Sequence, residues 1–128
     1  MPQERQNVMT KYTYMLADEV IEAFNERSRR DSLGIEARLE ESDDCTTDDQ
    51  IGFTENETGL ELPLHIQIDS RELIVVNEHY NSAGSFEAIS YEKTFGPSTP
   101  PGVVSDHLVT KLQGLEPVRR PDTPSNEP

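Results

Sequence analysis

Between residues 9 and 30 the apolar side chains Tyr12, Met15, Leu16, Val20, Ala23 and Phe24 recur at steps of about one helical turn. Lys11, Asp18, Glu22, Asn25 and Glu26 fill the other side, so the spacing predicts an amphipathic helix. Arg27, Arg29 and Arg30 stand at its end, where positive charge opposes the macrodipole, and Glu26 can meet Arg30 one turn on. The arginine cluster therefore reads as a helix terminus and not as an anion site. Beyond it Leu33, Ile35, Ala37 and Leu39 alternate with Gly34, Glu36, Arg38 and Glu40, the period of a strand with one wet face.

Residues 41–59 then form a long acidic connection with few core candidates besides Ile51 and Phe53. Leu62, Leu64, Ile66 and Ile68 alternate with Pro63, His65, Gln67 and Asp69, giving a second one-sided strand whose proline favours an edge or a strand start. Asp69-Ser70-Arg71-Glu72 reads as a hairpin turn. The run Leu73-Ile74-Val75-Val76 predicts a strand covered on both faces and hence central. After the turn at 81–84, residues 86–94 make a fourth strand whose alternation slips at Ala88-Ile89, as a bulge would make it. A Pro- and Gly-rich linker, 96–102, leads into a short helix carrying Val104, Leu108, Leu112 and Leu115, with Gly114 near its end.

The order of elements predicts a single small α+β domain over residues 8–116: a mainly antiparallel four-stranded sheet with the N- and C-terminal amphipathic helices packed on one face. Residues 1–7 and the tail 117–128, with its four prolines, are expected to be disordered. The uncovered sheet face would carry Glu36, Arg38, His65, Gln67 and Asp69, the expected binding residues.

Charge changes the picture more than composition does. The chain has 11 Lys and Arg against 25 Asp and Glu, a formal net charge of −14 on 128 residues. Such a chain repels phosphate backbones, so direct nucleic-acid binding is not expected. Lys11, Lys93 and Lys111 are its only lysines. Few lysines beside many acids suit a cytoplasm at molar salt, where the Debye length shrinks to about 3 Å, and equally a surface for a basic protein partner. With 33 % hydrophobic residues, 6 % aromatics and no Trp, the core must be small. The single Cys45 leaves no intrachain disulfide or thiolate zinc cage, which fits a reducing compartment. No apolar run approaches the roughly 18 residues of a membrane span, and the start lacks a signal-peptide pattern. A cytoplasmic protein without a membrane partner is the expectation.

Candidate chemistry is sparse. Asp44, Thr46, Asp48 and Glu55 occupy positions 1, 3, 5 and 12 of a twelve-residue stretch that resembles an EF-hand calcium loop, in which alternate oxygen ligands surround the ion and a last Glu closes the shell. Asp49 stands where that loop requires Gly, Thr46 is a poor ligand, and the flanking segments are not helical in pattern. Calcium is thus the one cofactor the sequence raises, without requiring any. Thr46 and Thr54 have acids three residues on, and Asn56-Glu57-Thr58 fits a glycosylation acceptor; in so acidic a loop both arise by composition. His65, Asp69 and His79 would be the residues of a small metal-dependent enzyme, although no histidine pair has the spacing of a zinc hydrolase.

Absence of a catalytic cluster and dense negative charge make a non-enzymatic protein-binding or regulatory module, halophilic in character, the leading expectation. Two alternatives remain: an acidic nucleic-acid mimic that inhibits a DNA-binding protein, and the metal-dependent enzyme. Self-association through an edge strand, that of Pro63 or that beginning at Phe86, is a further expectation.

Overall fold

The computed structural model describes residues 2–41 and 49–118. Its elements, in chain order, are α1 (Pro2–Asp31), β1 (Ile35–Glu40), β2 (Gln50–Glu55), β3 (Glu61–Ile68), β4 (Leu73–Tyr80), β5 (Phe86–Phe95) and α2 (Pro101–Leu112). The strands form one open sheet in the order β1-β2-β3-β4-β5, every neighbouring pair antiparallel. The α+β class therefore stands, with five strands where the sequence pattern predicts four. The missed strand, β2, lies inside the acidic connection 41–59. Its Ile51, Gly52 and Phe53 are buried, so two apolar residues of period two, set among polar ones, suffice for a short strand flanked on both sides.

One core holds both helices against one sheet face. Leu16, Ala17, Val20 and Phe24 of α1 and Val104, Leu108, Val109 and Leu112 of α2 meet Ile51, Phe53, Leu64, Ile66, Leu73, Val75 and Phe95 of the strands. The Phe24 and Phe53 rings pack edge to face, centroids 5.3 Å apart. Large side chains buried in this way each contribute about 1.5–3 kcal/mol. The buried face of α1 is rotated from the expected one: Thr13 and Ala17 are buried, whereas Tyr12 and Met15 are about half exposed. Thr13 is held there because its hydroxyl donates to the Ser70 carbonyl in the β3–β4 turn, at 3.2 Å.

Pro63 does not mark an edge, since β3 is the middle strand. It falls where the pairing register shifts: β2 meets β3 at Gly52–His65 and again at Thr54–Glu61, and the β4 ladder begins only at Leu64. The missing N–H of proline thus costs no ladder bond. β4 lies inside the sheet, as its apolar run predicts, but the helices cover only one of its faces, so the expectation of a strand covered on both does not hold. In β5 the alternation slips twice, because β4 pairs Val75 with Lys93 and Val76 with Tyr91, then His79 with Ala88 and Tyr80 with Phe86. The extra residues are Glu92 and Glu87, on either side of the Ala88-Ile89 step where the sequence shows its slip.

Helix α1 starts at Pro2, inside the segment that composition leaves unstructured, and ends in a left-handed residue, Ser32, with φ 57°. The Leu33 N–H donates back to the Ser28 carbonyl at 2.9 Å, closing the helix and turning the chain into β1. Of the tail 117–128, Pro117 and Val118 are described, and the Val118 N–H donates to the Glu61 carbonyl at 2.8 Å. No helix among the described residues is long and apolar enough to cross a membrane. Since a non-glycine residue pays about 1–2 kcal/mol in the left-handed region, less the extra chain entropy of Gly, Ser32→Gly should raise unfolding stability by about 0.5–1 kcal/mol. A higher urea midpoint with an unchanged slope is the expected readout.

Candidate functional site

Strand alternation decides which side chains lie on the face that neither helix covers. In β3 the residues Leu64 and Ile66 enter the core, so Pro63, His65 and Gln67 point outward; in β4 the outward set is Ile74, Val76, Glu78 and Tyr80. Cross-strand pairing aligns Arg38, Gly52, His65, Val76 and Tyr91 into one row across all five strands. Gly52 keeps that row low between Arg38 and His65. A Cβ at this position would run into the Glu40 carboxylate, which lies over β2 and accepts a 2.8 Å bond from Gln50 Nε2.

At the centre of the outer face three side chains are locked together. His65 Nδ1 lies 2.5 Å from Glu78 Oε2, and the Tyr80 hydroxyl donates to Glu78 Oε1 at 2.6 Å. Both carboxylate oxygens are thus occupied, and the His65 and Glu78 side chains are only 12 % and 18 % exposed. Val76 beside them is fully buried although it lies outside the main core. A shallow recess of about 470 Å³ borders the cluster, walled by Pro63, Glu78, Tyr80 and the 81–84 turn on one side and 116–118 on the other.

Of the expected binding residues, Arg38, His65 and Gln67 share this face, and Glu36 joins them through a 3.6 Å ion pair with Arg38. Asp69 is spent on the hairpin, where its carboxylate accepts from the Arg71 N–H at 3.2 Å and its own N–H donates to the Glu72 carbonyl. His79 stands on the opposite face from His65, by the alternation of β4, and its ring meets Ser90 Oγ at 2.6 Å. His65, Asp69 and His79 do not converge. Among the described residues no three His, Cys, Asp or Glu side chains are grouped to hold a metal ion. Asp44, Thr46, Asp48 and Cys45 lie outside the described residues. Glu55 ends strand β2, where it accepts from the Thr58 hydroxyl at 2.7 Å; the extended segment carries it about 17 Å from Gln50. Glu78 and Tyr80 escape a sequence reading that stops at the apolar run, yet they continue its period of two.

On the covered side, α2 carries a histidine in an unfavourable setting. The His107 ring packs edge-on against Phe95, centroids 5.6 Å apart, and its Nε2 is buried with no partner among the described residues. Burial pushes the imidazole below its ordinary value, assisted by the positive charges of Lys111 and Lys93 and opposed by Glu92. At the exposed junction of the helices, Arg27 hydrogen-bonds Asp31 and Asp106, and it holds the Asp31 carboxyl below the usual carboxylate range with help from Arg30.

No protein-family model, curated protein or solved structure matches this chain.

The depressed His107 has a signed consequence. In the unfolded chain the imidazole takes up its proton near pH 6.5, before the folded one does, so acidification below that point favours unfolding. The melting temperature of the wild type should fall between about pH 7.5 and about pH 5 by more than that of His107→Phe, which keeps a ring against Phe95 and removes the titration. Thermal melts followed by circular dichroism at the two pH values check this.

Proposed function

We propose that this protein is a non-enzymatic, acidic protein-binding module that acts in the cytoplasm and docks a protein partner on the outer face of its sheet. The observation that carries the reading is the fixed His65–Glu78–Tyr80 cluster in the middle of a five-strand face that both helices leave bare. A recognition surface gains from side chains that are already immobilised, because little rotamer entropy is then lost on binding. Arg38 and Gln67 flank the cluster and supply polar groups for contact, while the half-buried Ile74, beside the fully buried Val76, gives the surface an apolar floor. The surplus of carboxylates over the rest of the molecule favours a basic partner, speeds encounter with it and disfavours acidic competitors.

Tagged protein expressed in the cells that make it provides the test. Wild type and a Tyr12→Ser/Met15→Ser variant, altered only at exposed positions of α1, should retain the same bound protein, which an Arg38→Glu/Gln67→Arg variant should lose by about tenfold or more. Equal retention by all three would place any partner elsewhere and overturn the reading.

A further inference from the structure

The two edges of the sheet are treated differently. At β1 the outward backbone groups are closed by α1: Asn25 Nδ2 donates to the Ala37 carbonyl at 2.9 Å and its Oδ1 accepts from the Ala37 N–H at 2.7 Å. One turn further, the Ser28 hydroxyl donates to the Ile35 carbonyl at 2.6 Å and accepts from the Ile35 N–H at 3.3 Å. The other terminal strand, β5, is ten residues long, pairs with β4 alone, and has Phe86, Ile89 and Tyr91 among the exposed large hydrophobic side chains of the molecule. A strand of that length presents about 33 Å of edge.

We infer that β5 pairs with β5 of a second copy of this chain, antiparallel about a two-fold axis at Ser90, so that two five-stranded sheets become one of ten strands. The register follows from β5 itself. A two-fold at Ser90 sets Ile89 opposite Tyr91 of the other copy, Phe86 opposite Thr94, and Glu87 opposite Lys93. Ile89, Tyr91, Phe86 and Thr94 pair in β4 with the outward Glu78, Val76, Tyr80 and Ile74, so both apolar-containing pairs bring like faces together. The axis also places the extra residues Glu87 and Glu92 near-symmetrically about it, which is why the faces stay in phase across both bulges. A two-fold at Ile89 would instead set Tyr91 against Glu87 and Phe86 against Glu92, with no opposite charges in contact. In the Ser90 register each dimer gains two Glu87–Lys93 pairs and two Ile89–Tyr91 pairs, contributions that an isologous interface counts twice.

This inference goes beyond partner docking on the outer face, since it concerns the strand edge and a second copy, and the variants that test it leave Arg38, His65 and Gln67 intact. Sedimentation equilibrium of the full chain should give a dimer. Lys93→Glu and Glu87→Lys, each of which sets like charges opposite one another, should raise the dimer dissociation constant by about tenfold or more, and the combined Glu87→Lys/Lys93→Glu exchange should restore it. Both side chains are exposed, so far-UV circular dichroism should show each variant folded. A monomeric wild type, single variants that dimerise as well as the wild type, or a double variant as weak as the singles would each overturn the inference.

Discussion

Asn25 of α1 bonds both the N–H and the carbonyl of Ala37, as a neighbouring strand would, and much of the structure depends on that pairing. A sheet with one apolar face needs cover on that face and something to do with the polar backbone at its two ends. Helix α1 meets both needs at once. Its buried residues Leu16, Val20 and Phe24 press on the sheet, and just after Phe24 and one turn beyond it the polar residues Asn25 and Ser28 take the outward groups of Ala37 and Ile35. The Schellman-type close at Ser32 returns the chain at the angle that lets β1 lie beside the helix that precedes it. Cover and edge closure on the β1 side leave the outer face and the β5 edge open, and the functional readings follow from those two surfaces.

The acidity is carried on a frame whose core is apolar. Ion pairs among the described residues are mostly exposed: Arg27 with Asp31 and Asp106, Arg30 with Asp31, Lys111 with Glu92 at 3.1 Å, and Arg38 with Glu36. Exposed pairs of this kind contribute little to stability and weaken in salt. Two of them connect elements, since Arg27 joins α1 to α2 and Lys111 joins α2 to β5. The surplus of carboxylates sets the field around the molecule, which selects the sign of what approaches.

Much of the fold was legible as pattern. The alternation in β3 and β1, the apolar run of β4 and the spacing of α2 each follow from periodicity, and the outer face was legible as the polar half of those alternations. What escaped did so for physical reasons. β2 has only Ile51 and Phe53 to announce it, in a stretch whose acids argue for a loop; its stability comes from two flanking strands that no local signal reveals. On α1, Tyr12 and Met15 are the larger apolar residues, yet Thr13 and Ala17 face the core, because close approach to the sheet favours small side chains and a hydroxyl that finds the Ser70 carbonyl. Pro63 signals an edge in isolation, but a break in register makes room for it in the middle strand. The His65–Glu78 contact joins residues in different strands, and the register that brings them together is a property of the β3–β4 hairpin and not of either residue.

The most direct test of this account is amide hydrogen exchange at Ala37, whose N–H faces away from β2 and is held by Asn25, compared with Val75 inside the sheet. In the wild type both amides should exchange slowly, and in Asn25→Ala the Ala37 amide should exchange about tenfold or more faster relative to Val75. Rapid exchange at Ala37 in the wild type, or an unchanged ratio in the variant, would contradict the claim that α1 closes the β1 edge.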